Sequence, residues 1–323
     1  MKILANDGIS PEGKEKLENA GFTVVTDHVQ QDLLIDTINK ENYIALLVRS
    51  ATTVRKDLID ACPDLKFIGR GGVGMDNIDV EYARSKGITV ENTPSASSQS
   101  VAELAMGSLF SLARSTFDSY KEMANEDGVD FKGLKKKYSK GVELRGKTLL
   151  IIGFGRIGQS LASYALGSGM KVNALTLAEE SIEIPISIEG IGEVVSTIKT
   201  TTNIDKALGE ADFISLHLPK QDDGKAVIGK AEFEKMKDGV RIINLARGGV
   251  IDENDLLNAL KSGKVAAAAI DVYENEPTPK EELLKCVGIA CTPHIGGATT
   301  EAQGRIGTEL ADKIIATFKK IEI

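Results

Sequence analysis

The segment KTLLIIGFGRIGQSLA, residues 147–162, constrains this chain more than any other stretch. Four apolar residues, Leu149–Ile152, run straight into Gly153-Phe154-Gly155-Arg156-Ile157-Gly158 and then into a helical pattern. A lone Gly-x-Gly-x-x-Gly says little, but a buried strand before it and a helix after it supply the context its mechanism needs. Gly153 permits the tight turn, Gly155 lets the backbone approach a pyrophosphate, and Gly158 lets helix and strand pack closely. The helix N-terminus then offers free N–H groups and positive dipole to the phosphates. An acidic residue is expected about 20 residues on, at the end of the next strand, to hold the adenosine ribose. That strand reads KVNAL, and Thr176 stands where the acid belongs. Glu179 and Glu180 follow closely, and no basic residue nearby suits a 2′-phosphate, so NAD is the expected cofactor.

A strand–turn–helix of this kind belongs in a parallel sheet with right-handed crossovers. Two series of such units occur. KILAN, FTVVT, IALLV, KFIG and ITVEN alternate with helical segments in the first ninety residues. TLLIIG, KVNAL, FISLHLP, RIINLA, AAAAIDV and GIACTPH form a second series from Lys147 onward. Ser10-Pro11 is a helix start and Gly21 a helix stop. A chain of 323 residues exceeds one ordinary core. The expected fold class is therefore α/β, with two doubly wound parallel-sheet domains. Residues 98–293 form a Rossmann-type cofactor domain. Residues 1–97 and 294–323 form a flavodoxin-like, discontinuous substrate domain, the last helix packing back on the first series. Ser98 to about Tyr120 reads as one linking helix. Glu179–Thr202 is too irregular to assign.

Charge and hydropathy exclude other classes. A formal net charge of −8 disfavours nucleic acid and anionic membrane. No apolar run approaches the roughly 20 residues that span a bilayer. Cys62, Cys286 and Cys291 form no Cys-x-x-Cys pair, and an odd count suits free thiols in a reducing cytoplasm.

Transfer of a hydride to or from an alcohol needs a group to handle the hydroxyl proton, and histidine is the common choice near neutral pH. There are three histidines. His28 lies in a polar connection and reads as solvated. His217 ends a strand just before Pro219, at a carboxyl edge where such sheets bind ligands, and a structural role fits it equally well. His294, between Pro293 and Ile295-Gly296-Gly297 on a loop, is poorly placed for core packing and is the best acid/base candidate. Arg247 follows RIINLA on a glycine-rich loop, where its fork can face a carboxylate. Glu276 follows the strand ending at Asp271, and a carboxylate beside a histidine fixes its tautomer.

With these residues in view, the chain resembles the D-isomer-specific 2-hydroxyacid dehydrogenase family over essentially its whole length. NLARGGVID (244–252), DVYENEP (271–277) and TPHIGG (292–297) look like the family's arginine, glutamate and histidine motifs. The resemblance implies that Arg247 binds the substrate carboxylate and polarises the carbonyl. It makes His294 the general acid/base, oriented by Glu276, and puts Asp271 on the nicotinamide side. It implies further cofactor contacts from Arg156, Ile157, Thr176, His217, Leu218, Pro219, Leu245, Ala246, Gly296 and Gly297. In RGGVGMDNID (70–79), backbone N–H groups of Gly72, Val73 and Gly74 would hold the substrate carboxylate, as a backbone nest can.

Within the family the likeness is greatest to members that oxidise 3-phosphoglycerate in serine synthesis. VRSATTV (48–54) looks like their phosphate-side motif, and Asn92-Thr-Pro with Ser100-Val-Ala-Glu103 also matches. Arg49, Arg70 and Lys136, within the run Lys135–Lys137, would gather positive charge around a phosphorylated substrate, a small anionic 2-hydroxy or 2-keto acid. The resemblance also implies a homodimer through the helices after Ser98. Ser97 departs from the family's usual Asn. The match covers the catalytic core only, so feedback through a serine-binding regulatory domain is not expected. Two other readings stand beside this one: a glyoxylate or hydroxypyruvate reductase, and an NAD-sensing corepressor-like binding protein. Steady turnover of small 2-keto acids separates the last from the enzymes.

Overall fold

The computed structural model describes residues 1–124, 128–221 and 223–321. The chain divides into two compact units, residues 1–100 with 297–323, and residues 101–296.

The first unit alternates β1 (Lys2–Ala5), α1 (Pro11–Asn19), β2 (Thr23–Val25), α2 (Leu34–Glu41), β3 (Tyr43–Val48), α3 (Lys56–Ala61), β4 (Phe67–Arg70), α4 (Val80–Ser85) and β5 (Thr89–Asn92). The five expected strands all form, in the order β2-β1-β3-β4-β5 with every pairing parallel. Alternate residues of these short apolar strands bury on opposite faces. Leu4, Leu46, Val48 and Ile68 pack on one side. Ile3, Ala5, Ala45, Leu47 and Phe67 pack on the other, against Ala311, Ile314 and Phe318. Those three come from the chain's last helix, which thus completes a domain begun some 300 residues earlier. Ser10 caps α1 by accepting from Gly13 N at 3.2 Å, with Pro11 as the first helical residue.

The expected linking helix is broken. α5 (Ser98–Arg114) stops where Ser115 adopts φ 50°, and α6 (Thr116–Met123) and α7 (Phe131–Lys137) follow. A non-glycine residue in the left-handed region cannot continue an α-helix, and the apolar pattern alone did not reveal the break.

The second unit continues with β6 (Thr148–Ile152), α8 (Arg156–Gly167), β7 (Lys171–Leu175), β8 (Ser181–Ile188), β9 (Gly192–Thr201), α9 (Ile204–Glu210), β10 (Phe213–Leu216), α10 (Lys230–Lys235), β11 (Val240–Asn244), α11 (Glu253–Lys261), β12 (Val265–Ile270), α12 (Glu281–Lys285) and β13 (Ile289–Cys291). The final helix, α13 (Thr300–Ile321), belongs to the first unit. The sheet order is β13-β12-β11-β10-β6-β7-β9-β8, parallel except for β8. Leu150, Ile152, Ile214 and Ile242 face one core, and Leu149, Ile151, Phe213 and Ile243 the other. Strands buried on both faces read as continuous apolar runs.

The unassigned stretch after Glu179 is the β8–β9 hairpin. Its Ile182–Ile198 pair and Ile184 fall on one face, and Ile184 and Ile198 are buried in the core that also holds Leu161 and Ala165 of α8. Pro185 sits in the edge strand, where a missing N–H costs nothing.

Candidate active site

Because β13, β12, β11, β10, β6 and β7 are parallel neighbours, their carboxyl ends share one edge. The loops leaving that edge carry, in order, His294, Glu276, Arg247, His217, the glycine turn and Thr176. Residues scattered over more than a hundred positions thus meet along one side of one sheet. The strand order reverses between β10 and β6, the kind of switch point at which ligands enter open α/β sheets.

At that point Gly153 has φ 89°, and a Cβ built on it would lie 2.3 Å from the His217 carbonyl oxygen. Only glycine fits. A Cβ on Gly158 would lie 2.6 Å from the Gly153 carbonyl, so α8 can approach β6 as it does only without one. Gly155 is different: nothing lies within 4 Å of its added Cβ. It is the N-cap of α8, no side chain caps the helix, and no acid sits in its first turn. The helix therefore presents uncapped N–H groups and positive dipole to open space, which fits a pyrophosphate. Thr176 directly follows the next strand, but its hydroxyl donates to Ala178 O at 2.6 Å, and no acid stands in its place.

His294 has φ 54°, a left-handed conformation unusual for a side-chain-bearing residue. Asp271 enforces it. This carboxylate is 1% exposed and accepts from Thr292 Oγ1 (2.6 Å), Ile295 N (2.8 Å) and Gly296 N (2.8 Å). The bonds bracket the histidine on both sides. Asp271, expected on the nicotinamide side, is thus occupied with pinning the histidine loop, and the Gly296 N–H is spent there as well. His294 Nδ1 lies 2.8 Å from Glu276 Oε2, and Glu276 Oε1 accepts from Tyr273 N at 3.0 Å. The carboxylate is thereby aimed, and Nε2 is left as the ring nitrogen for a ligand. With Nδ1–H donated to Glu276, Nε2 carries a lone pair, the tautomer of a base. The Tyr273 hydroxyl donates toward Thr292 O at 2.8 Å, and burial holds it well above the usual phenol range.

Arg247 is half-buried, its Nη1 donating to Ala246 O at 2.7 Å. Asn244, 3% exposed, braces its loop: Nδ2 donates to Arg247 O and Oδ1 accepts from Ala246 N. Leu245 and Ala246 are buried. His217 is enclosed. Nε2 lies 2.8 Å from Ser215 Oγ, Nδ1 has no partner among the described residues, and burial pushes the ring's pKa down to about 4. It is a neutral wall of the glycine turn rather than a titrating group at neutral pH. Leu218 and Pro219 continue the chain outward, and Arg156 and Ile157 open α8. His28 is exposed, with Nδ1 2.9 Å from the Asn6 carbonyl.

In the first unit, Arg49 and Arg70 leave the carboxyl ends of adjacent strands, Val48 pairing with Arg70. Arg49 lines a cavity of about 240 Å³ whose wall also holds Asp7, Ser10, Gly71, Gln303 and Ile306. Asp7 is committed elsewhere, accepting from Arg49 N (2.6 Å), Thr52 N (3.1 Å) and Thr52 Oγ1 (2.6 Å). The Arg70 guanidinium folds over Gly72, where an added Cβ would fall 1.6 Å from Nη1. Gly72 itself corrects the expected nest. Its N–H donates to Thr93 Oγ1 at 2.8 Å, and its carbonyl accepts from Thr93 N at 3.1 Å. The pairing of β4 with β5 brings Thr93 beside it, so the Gly72 N–H is already engaged within the loop. Val73 and Gly74 remain. Gly297 also belongs to this unit, its carbonyl accepting from Gln303 Nε2. Lys136 is exposed on α7, in the other unit, and its neighbour Lys137 pairs with Glu122.

Sequence reading missed Asn244 and Thr292 as braces. The available signal was a polar residue at the carboxyl end of a strand, within three residues of each candidate.

The profile of the D-isomer specific 2-hydroxyacid dehydrogenase NAD binding domain matches residues 106–296. The chain belongs to this family. It is 42% identical to hydroxypyruvate reductase of Thermotoga maritima over the whole of this chain and 99% of that one. It is 38% identical to D-3-phosphoglycerate dehydrogenase of Archaeoglobus fulgidus, covering 58% of that longer protein. Among solved structures, glyoxylate reductase of Paecilomyes thermophila superposes with a TM-score of 0.82 at 28% identity, over 99% of this chain and 95% of that one. The chain is thus an NAD-linked oxidoreductase of 2-hydroxy acids, and no described helix is long and apolar enough to cross a membrane.

Proposed function

We propose that this dehydrogenase acts on a 2-hydroxy acid bearing a second anionic group, 3-phosphoglycerate, and oxidises it to 3-phosphohydroxypyruvate at the entry to serine synthesis. The observation that carries the reading is the pair Arg49 and Arg70 on adjacent strand ends, beside the Val73–Gly74 turn. A single carboxylate needs one anchor, a role Arg247 can fill alone. A second anion gives the two extra guanidiniums a purpose, since arginine's fork matches phosphate oxygens.

The second unit supplies the chemistry. A nicotinamide dinucleotide held at the Gly153–Gly158 turn would supply the acceptor or donor of the hydride. Arg247 holds the carboxylate and polarises the carbonyl. His294 Nε2 removes the hydroxyl proton in oxidation and returns it in reduction, while Glu276 on Nδ1 stabilises the imidazolium. Large apolar side chains stand exposed on the segment after Ser98: Phe110, Tyr120, Met123 and Phe131. We place a second copy of the chain there, in a cytoplasmic homodimer, which sedimentation at micromolar concentration tests.

The deciding assay follows NADH oxidation with 3-phosphohydroxypyruvate, hydroxypyruvate and glyoxylate at equal concentrations. The proposal expects the phosphorylated acid to be preferred at least tenfold in kcat/KM, about 1.4 kcal/mol. The full-length likeness to a hydroxypyruvate reductase favours a second reading. On that reading the unphosphorylated acids win and the same His294 chemistry stands.

A further inference from the structure

Glu253 is a carboxylate 5% exposed, on the first turn of α11, outside every motif role assigned above. Its partner is Glu274, and the two exchange bonds. Glu253 N donates to Glu274 Oε1 at 3.1 Å, and Glu274 N donates to Glu253 Oε1 at 2.8 Å. Two carboxylates so close repel unless a cation joins them. Lys280, the residue preceding α12, supplies it, with Nζ 2.7 Å from Glu274 Oε2 and 3.3 Å from Glu253 Oε2. The hydrogen bond to Glu274, with Glu253 beside it, holds the ammonium above its ordinary range.

The clamp joins two loops that the reaction needs in register. Glu274 is two residues before Glu276, on the loop after β12. Glu253 follows directly on the loop that carries Arg247 and ends at the helix cap Asp252. A second contact ties the same loops together: a Cβ on Gly248 would lie 1.8 Å from the Tyr273 carbonyl oxygen and 2.8 Å from Glu274 N. The arginine loop is therefore fastened to the glutamate loop by backbone apposition at one end and by the charged clamp at the other. Displacing Glu274 moves Glu276, and through it His294, relative to Arg247.

We infer that Glu253, Glu274 and Lys280 are positioning residues that hold Glu276 in line with His294 and Arg247. The inference rests on the roles proposed for those three. A misplacement of about 1 Å at reacting groups can cost as much as a hundredfold in rate. The test uses whichever of 3-phosphohydroxypyruvate and hydroxypyruvate the wild type reduces faster. Lys280→Met is expected to lower kcat roughly tenfold or more. The NADH dissociation constant, read by fluorescence quenching, should stay within about twofold, and Lys280→Arg should restore most of the rate. Because the clamp acts through Glu276, Lys280→Met added to Glu276→Gln should cost little beyond Glu276→Gln alone. Glu253→Gln, which keeps the acceptor for Glu274 N but loses the charge, provides a second variant if Lys280→Met folds poorly. It should lower kcat in the same direction. Additive losses, a wild-type rate in both variants, or a fall in kcat matched by lost NADH binding would overturn the inference. If instead Glu276→Gln and His294→Ala leave the rate intact, the underlying assignment fails rather than the clamp.

Discussion

The two units hold their polar side chains in contrasting ways. In the second, every group assigned to chemistry is braced from behind: His294 by Asp271 and Glu276, Glu276 by Tyr273 N, Arg247 by Asn244. In the first, the bracing is confined to the backbone, where Asp7 and Asn77 hold Arg49 and Asn92 holds Val73, while the Arg49 side chain lies along a cavity wall, Arg70 folds on its own loop, and Val73 is 37% exposed. Groups that move protons need sub-ångström placement, which a rigid surround supplies. Groups that recognise an anion work by charge and tolerate movement. The contrast suggests that substitutions in the second unit stop turnover, and that substitutions in the first change which acid is turned over.

The largest effect should come from His294→Ala, which removes the proton carrier. We expect kcat to fall on the order of a thousandfold with NADH binding retained by fluorescence titration. A rate near wild type would dissolve the distinction between the units. Gly248→Ala comes next. A methyl group cannot fit against the Tyr273 carbonyl, so the arginine loop must shift, and kcat should drop on the order of a hundredfold while circular dichroism stays native.

A third test probes how far bracing extends into the cofactor turn. Burial lowers the His217 pKa to about 4, below its unfolded value near 6.5. The folded state then binds fewer protons than the unfolded one between those values. Its contribution is whole above pH 6.5, shrinks as pH falls toward 4, and amounts to as much as about 3 kcal/mol. Urea melts across this window should show that loss in the wild type and a flatter profile in His217→Asn. Identical profiles would mean the ring is not enclosed as described. The smallest effect is expected from Thr176→Asp, which restores a carboxylate at the end of β7. It should tighten NADH severalfold, about 1 kcal/mol, without changing kcat. Weaker binding would place the ribose elsewhere.

Much of the architecture could be read from the residues. Short apolar runs between helix signals became the strands of both sheets, because burial on two faces leaves continuous apolar sequence. The glycine turn was legible because two of its glycines are sterically required by neighbours close in the chain or on the adjacent strand. What stayed hidden depends on distant pairings. The β8–β9 hairpin carries Pro185 and exposed polar residues, so its pattern is neither a clean strand nor a helix. The break at Ser115 lies inside an apolar pattern that continues past it. The engagement of the Gly72 N–H depends on Thr93, twenty-one residues away and just past the end of β5. The Glu253–Glu274–Lys280 clamp spans three separate elements, and nothing in the local spacing of any one of them announces it.

One measurement tests the division of labour most directly: kcat/KM for 3-phosphohydroxypyruvate and for hydroxypyruvate, in the wild type and in Arg49→Ala. The phosphorylated acid should lose at least tenfold in the variant, while hydroxypyruvate stays within about threefold. An equal loss on both acids would place Arg49 in the common machinery and contradict it.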